Sequence, residues 1–372
     1  LWDSLRNEAV IDLPMDVIFG KPPRMFRDVS RRAEVRLPLS ARPSLAEAAS
    51  RVLRFPAVAD KRFLITIGDR TVGGLTVRDQ FVGPWQVPVA DCAVTALTFD
   101  SVAGEAFALG ERTPLALLDA AAATRMAIAE SLTNLVCARV KKLEDVVLSA
   151  NWMAAAGQPG EDARLYAAVE AASELCQALG ICIPVGKDSM SMRTAWQDAQ
   201  HGPQCVSSPV SLICTAFAPV MDVRQTLTPQ LQLAEPSVLL LLDLAAGQQR
   251  LGGSVLAQAH GELGAEPPDL DSPARLREAF IAVQLLNDAG YVLAAHDRSD
   301  GGLFATLCEM AFAARCGLDI EASPLGGEPL AALFNEEPGL VLQVRADDLV
   351  AVEECLAQYP ALAGCVRRLG QP

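Results

Sequence analysis

The chain has 372 residues, too many for one ordinary hydrophobic core, so its length alone predicts two domains. A net charge of −14 argues against nucleic acid and anionic membranes as partners, because attraction to phosphate backbones or acidic lipids would have the wrong sign. Half of the residues are hydrophobic, 51%, yet no apolar run approaches the ~20 residues of a membrane span. Ten cysteines are scattered without a CxxC pair and only three histidines are present, which predicts a reduced, cytoplasmic protein without a His-rich zinc site.

Residues 1–50 are rich in proline and arginine, with Pro14, Pro22, Pro23, Pro38 and Pro43 among Arg24, Arg27, Arg31, Arg32 and Arg36. That composition predicts the end of a preceding domain, a linker and a short helix over 44–53. The second section, 51–222, mixes strands and helices. Strands are expected over 63–67 and within 87–99, a long helix over 115–136 and a strand over 146–149. A second helix over 162–179 carries Leu165, Val169, Ala172, Cys176 and Leu179 on one face, and strands follow over 181–185 and 210–217. Proline and glutamine accumulate over 220–236, where a boundary is expected. The third section, 223–372, then reads strand 238–244, helix 274–289, strand 291–295, helix 303–314, strand 340–344, helix 347–358 and a last strand from 366. Helices alternate with strands in both halves, so two α/β or α+β domains are predicted. The start at Leu1-Trp2-Asp3, without an initiator Met, and the end just past a strand pattern lead us to expect a fragment of a larger protein.

The most informative stretch is His296-Asp-Arg-Ser-Asp-Gly-Gly302, an acidic turn between a buried strand and a helix. A Ser/Asp/Gly turn there leaves backbone N–H groups at the helix start for phosphate oxygens. The carboxylates of Asp297 and Asp300 would repel a bare phosphate, so the turn reads as a Mg²⁺-nucleotide contact, or equally as a well-capped helix start. Glu130 and Asn134 lie four apart in the long helix and so share a face. Asp91 interrupts an apolar strand, where a buried acid is costly unless paired or coordinated. Together Asp91, Glu130, Asn134 and Asp297 make an all-oxygen set that suits Mg²⁺. Two carboxylates about 4 Å apart at an effective dielectric near 20 repel by roughly 4 kcal/mol, so such a cluster calls for a cation. Read singly, each of these acids is as well a solvated or capping residue.

Two other motifs carry less. Gly180-Ile-Cys-Ile-Pro-Val-Gly186-Lys187-Asp188 has one residue too many between its glycines for a P-loop, and Asp188 stands where the Mg²⁺-binding hydroxyl belongs. Lys187 there reads as part of a surface turn. His296, Asp297 and Ser299 are too close in sequence to line up as a nucleophile–base–orienter triad.

The runs Gly68-Asp-Arg-Thr-Val-Gly-Gly74, Asp79-Gln-Phe-Val-Gly-Pro-Trp-Gln-Val-Pro-Val-Ala-Asp91, Gly110-Glu-Arg-Thr-Pro114, Leu148-Ser-Ala-Asn-Trp-Met-Ala-Ala-Ala156, Pro184-Val-Gly-Lys-Asp-Ser-Met-Ser-Met192 and His296-Asp-Arg-Ser-Asp-Gly-Gly302 closely resemble phosphoribosylformylglycinamidine synthase of the large, single-chain bacterial type. The resemblance covers essentially the whole chain and corresponds to the second half of the synthase region, without the glutaminase domain. It implies an α+β, aminoimidazole-ribonucleotide-synthetase-like fold: a ferredoxin-like mixed β subdomain over 51–222, then an α/β subdomain over 223–372. It also implies an ATP-dependent ligase that converts formylglycinamide ribonucleotide, glutamine and ATP to formylglycinamidine ribonucleotide in purine biosynthesis. By motif, Asp91, Glu130, Asn134 and Asp297 correspond to ligands of an auxiliary Mg²⁺-ADP. Ala90, Ser299 and Lys61 correspond to nucleotide contacts. Arg70 to Gly74 and Arg78-Asp79-Gln80 would face the ribonucleotide. The partners implied are the first synthase half and the glutaminase domain, and self-association of the fragment is expected through the face the missing half would cover. The first half's His-Asn-His-Pro turn is replaced here by Asp69-Arg-Thr-Val-Gly-Gly74, so no catalytic residue is assigned and the segment alone is expected to be inactive. The alternative is a non-catalytic module in which the nucleotide is a structural staple.

Overall fold

The computed structural model describes every residue except 22–25, 27–28, 33–35, 67 and 69–72. Residues 1–30 form a small unit of their own, in which β1 (Trp2–Asp3) pairs with β2 (Glu8–Ala9) ahead of one short helix, α1 (Met15–Phe19), that buries no residue. Residues 31–372 form the second compact unit.

The second unit opens with α2 (Leu45–Arg54), started by Ser44, whose side chain accepts the N–H of Glu47. Next comes α3 (Arg62–Ile65), where a strand over 63–67 is expected from the apolar run; Ile67 itself lies outside the described residues. Local capping overrides that pattern: Asp60 Oδ1 accepts the Arg62 N–H and Thr66 Oγ1 donates to the Arg62 carbonyl, which closes one helical turn. Then follow β3 (Thr76–Arg78), β4 (Ala93–Ala96) and β5 (Gly104–Glu111). In β5 every second residue is buried, the signature of a strand with one face on the core.

The helix expected over 115–136 is two pieces. A 3₁₀ turn over Thr113–Leu117 is followed by α4 (Ala120–Leu135). Asp119 makes the break, since its carboxylate accepts the N–H groups of Ala121 and Ala122 and so defines a new helix start. After α4 come β6 (Val147–Met153), α5 (Glu161–Leu179), β7 (Cys182–Ser189), β8 (Arg193–Asp198), β9 (Gly202–Ser207) and β10 (Ser211–Val220). Six strands form a sheet in the order β3-β4-β5-β10-β6-β7; β6 and β7 run parallel and the other pairs antiparallel. The strands β8 and β9 make a separate two-stranded ribbon.

Beyond residue 236 the elements are β11 (Ser237–Asp243), α6 (Val255–Gln258), α7 (Pro273–Asp288), β12 (Val292–Asp297), α8 (Gly302–Ala314), β13 (Asp319–Ile320), α9 (Pro329–Phe334), β14 (Gly339–Arg345), α10 (Leu349–Ala357) and β15 (Val366–Gln371). They build a five-stranded antiparallel sheet in the order β12-β14-β11-β15-β13. Its central strand β11 is buried along nearly its whole length, as the run Val238 to Leu242 predicts. One hydrophobic core joins both sheets. It runs from Val94, Ala106 and Leu212, through α4 and α5, to Phe280, Leu240 and Val344. No described helix is long and apolar enough to cross a membrane.

Candidate functional site

A cleft of about 960 Å³ is lined by Lys61, Ala90, Asp91, Asn134, His296, Asp297 and Ser299, among others. Six of the seven site residues expected from sequence therefore share one cleft. The seventh, Glu130, reaches its edge through Ser299, which also lines a small adjoining hollow beside Arg112 and Glu130.

Three elements bring these residues together. Asp91 sits just before β4, and its side chain is almost wholly buried. Glu130 and Asn134 project from one face of α4, one turn apart. Helix α4 can seat on β5 because residue 110 is glycine: a Cβ there would stand 1.9 Å from the carbonyl oxygen of Ala127. That close approach lets the Glu111 N–H donate to Glu130 Oε2 at 2.6 Å and the Asn134 amide donate to the Leu109 carbonyl at 3.1 Å. Asp297 ends β12, and Ser299 opens the turn to α8. The turn closes through Gly301 at φ +84°, where a Cβ would press on Ala305, Val52 and Val58.

The electrostatics are those of crowded, half-compensated acids. Asp91 Oδ1 lies 2.7 Å from His296 Nδ1, and its Oδ2 accepts a weak bond from the Cys137 thiol at 3.6 Å. The other ring nitrogen of His296 lies 2.7 Å from Glu309 Oε2, so the imidazole is clamped between two carboxylates. Burial alone would pull its pKa down, but Asp91 and Glu309 outweigh this and hold it well above the ordinary value. Asp297 is pushed well above the carboxylate range, first by burial and then by the charge of Asp91. Its Oδ2 is buried without a hydrogen-bond partner. Glu130 is pushed up to about 7 by burial, partly offset by the Arg112 guanidinium, and it accepts a short bond from the Ser299 hydroxyl.

Does this set fit a metal? Oxygen or nitrogen atoms of Asp91, His296 and Asp297 lie within 4.8 Å of one another. An orphaned buried carboxylate oxygen beside a second carboxylate is the state a hard divalent cation relieves, and a donor set dominated by carboxylates suits Mg²⁺. The residues fit the group.

Some expectations need revision in detail. The Ser/Asp/Gly turn does not offer all its N–H groups to a ligand: the Gly301 N–H donates to Glu336 Oε1 and the Gly302 N–H to the Ser299 carbonyl. Lys61 lines the cleft, yet its ammonium donates to the carbonyls of Ala57 and Ala59. Arg70, Thr71 and Val72 lie outside the described residues, whereas Gln80 lines the same cleft. Lys187 is exposed on β7 and donates to Ser189, far from any phosphate-loop geometry.

Sequence reasoning missed Glu309, which anchors His296, and Arg112, which donates to Asp300 at 2.8 Å and more closely to Glu336. Glu309 lies two turns into α8, where its spacing marks nothing special. Arg112 stood in a quoted motif, but the two acids it donates to, Asp300 and Glu336, are 188 and 224 residues away.

Residues 60–219 match the model of an FGAR-AT PurM_N-like domain, and residues 237–366 match an AIR synthase related protein, C-terminal domain. Among solved structures, Thermotoga maritima PurL complexed with FGAR is similar at 10% identity and a TM-score of 0.63, over 88% of this chain and 49% of that one. The same protein complexed with ATP is similar at 10% identity and a TM-score of 0.62, over 88% of this chain and 48% of that one. Escherichia coli HypE, a hydrogenase maturation protein, is similar at 20% identity and a TM-score of 0.51, over 78% of this chain and 87% of that one. The fold is thus the α+β, two-subdomain architecture of the AIR-synthase-like proteins. The chain spans about half the length of the PurL structures it matches.

Proposed function

We infer that a chain carrying an FGAR-AT PurM_N-like domain and an AIR-synthase-related C-terminal domain is the second synthase half of an ATP-dependent formylglycinamide ribonucleotide amidotransferase. It is the large, single-chain type, and the present segment consists of a linker region over 1–50 and subdomains over 51–222 and 223–372. The complete enzyme takes formylglycinamide ribonucleotide, ATP and glutamine to formylglycinamidine ribonucleotide, in the cytoplasm. The first synthase half and a glutaminase domain supply what this segment lacks.

The observation that carries the reading is the convergence of Asp91, Asp297, Glu130 and Asn134 from three elements on one cleft, with Asp297 Oδ2 buried and unpartnered. In the role we assign here, Asp91, Glu130, Asn134 and Asp297 hold Mg²⁺, while Ala90, Ser299 and Lys61 contact the nucleotide. When bound, the cation neutralises the phosphates of ADP or ATP against this acidic wall. The chain's own residues do the positioning. The Glu111 N–H and Ser299 hydroxyl fix the Glu130 carboxylate, and His296 with Glu309 fixes Asp91. The Lys61 ammonium must leave the Ala57 and Ala59 carbonyls to reach a phosphate.

A second reading, in which the nucleotide is a structural staple and the chemistry occurs in the other half, is favoured by how deeply the acids are built into the shared core. Mixing this chain with the separately produced remainder of the enzyme, ATP, glutamine and formylglycinamide ribonucleotide discriminates the two. An active-site role predicts that Asp91→Asn restores less than a hundredth of the turnover, an effect of about 3 kcal/mol, at unchanged assembly. A staple predicts normal turnover once assembled but a lower melting temperature. Absence of turnover with the unaltered chain would contradict the amidotransferase reading.

A further inference from the structure

A second cleft, of about 470 Å³, opens where the segment ahead of α2 passes the starts of α4 and α5. Its lining includes Arg31, Arg32, Arg36 and Arg164, and among the described residues Asp119 is its one acid. On a chain of net charge −14 this is a local inversion of sign. The acid is already engaged: Asp119 Oδ1 accepts two backbone N–H groups at 2.9 Å. Arg36 is held in place by donating to the Leu118 carbonyl. The aliphatic stem of Arg32 lies over Gly160, with its carbons 3.4–3.5 Å from where a Cβ would stand. Arg164 pairs with Glu161 at 2.7 Å. Arg31 and Arg32, by contrast, are exposed and make no ion pair or hydrogen bond with any described residue.

Guanidinium groups facing one hollow, with those of Arg31 and Arg32 unpaired among the described residues, match the geometry of adjacent phosphates better than that of a single carboxylate, because each planar fork can engage two oxygens. The volume falls in the range of small-molecule sites. Leu118 and Ala163 give one wall an apolar surface for the organic part of such a ligand. We propose that this cleft is a second anion site, separate from the acidic cleft and independent of its reading, that takes a small ligand bearing two linked phosphates and needs no divalent metal.

The test is calorimetric titration of the whole chain with inorganic pyrophosphate in excess EDTA, at about 50 mM and again at about 300 mM salt, where screening shortens the reach of charge. The expected result is saturable one-to-one binding that weakens at the higher salt. In Arg31→Ala/Arg32→Ala it falls by about tenfold or more at an unchanged melting temperature, while Asp297→Asn in the acidic cleft leaves it intact. ADP under the same metal-free conditions tells the ligand's source. Equal affinity assigns the cleft to the diphosphate group alone, and tighter binding assigns it to a nucleotide whose organic part meets the apolar wall. No saturation up to about 10 mM pyrophosphate, equal binding by the arginine double variant, or loss of binding in Asp297→Asn would each overturn the proposal.

Discussion

At the scale of single residues, Asp297 shows what the acidic cleft costs the metal-free protein. Its carboxylate is buried beside Asp91 with one oxygen unpartnered, so ionisation in the fold is disfavoured. We expect Asp297→Asn to raise the melting temperature of the metal-free chain by ~1–2 °C, about 1 kcal/mol, and to abolish the extra stabilisation that Mg²⁺ gives in the presence of ADP. Scanning calorimetry in EDTA and in Mg²⁺-ADP checks both halves; a destabilised metal-free variant would contradict the account. Glu336 gives the pH dependence. Burial, only partly offset by Arg112, pushes it up to about 7 from an ordinary 4.5. A carboxylate whose folded pKa is raised holds its proton more tightly in the fold, so its contribution is complete below the unfolded value and is lost as pH rises through the folded one. The metal-free chain should therefore lose stability between about pH 4.5 and 7, and Glu336→Gln should flatten that slope even though it removes a partner of Arg112. Urea midpoints across this range test it, and an equal slope in the variant would refute it.

At the scale of elements, the seat of α4 on β5 controls the site. Gly110→Ala puts a methyl 1.9 Å from the Ala127 carbonyl, so either the helix or the strand must shift. A cost of about 1–3 kcal/mol and a weakened Glu130 contact to the Glu111 N–H are expected, the first read by denaturant unfolding and the second by reduced Mg²⁺ affinity. That seat was not legible in the sequence: β5 is a run of Gly, Glu, Ala, Phe and Leu without β-branched residues, and its alternation is visible only in its burial. The ribbon of β8 and β9 escaped as well, because its residues are mostly exposed and carry no apolar alternation. What was legible had strong local signals. The apolar run of β11 lies within one residue of expectation, as do both ends of α5 and the end of α4 with Glu130 and Asn134 four apart, whereas α4 starts at Ala120, five residues later than expected, and Val169 on the expected face of α5 is exposed. The acids of the candidate cleft could be proposed singly from sequence. The meeting of Asp91 with His296, 205 residues away, and of Arg112 with Asp300, 188 residues away, could not, because those partners lie on elements remote in sequence.

At the scale of the whole molecule, the six-stranded sheet buries one face against α4 and α5 and leaves apolar side chains on the other. Phe107 and Phe217 are paired across β5 and β10 with ring centroids 6.0 Å apart, and Leu109, Val147 and Val185 are also exposed. Such a face is a surface for association. In our reading the first synthase half covers it, and a second copy does so when that half is missing. Phe107→Glu/Phe217→Glu should keep its fold, run as a monomer in light scattering and fail to assemble with the remainder of the enzyme. Unaltered assembly would contradict the assignment. The central claim is that the acidic cleft is a Mg²⁺-dependent nucleotide site, and calorimetric titration of the nucleotide-stripped Arg31→Ala/Arg32→Ala chain, in which the metal-independent cleft is disabled, with ADP tests it most directly, with and without Mg²⁺ and again with Glu130→Gln added. The account predicts binding that requires Mg²⁺ and weakens at least about a hundredfold in the variant, near 2.7 kcal/mol. Equal ADP binding without the metal, or by Glu130→Gln, would contradict it.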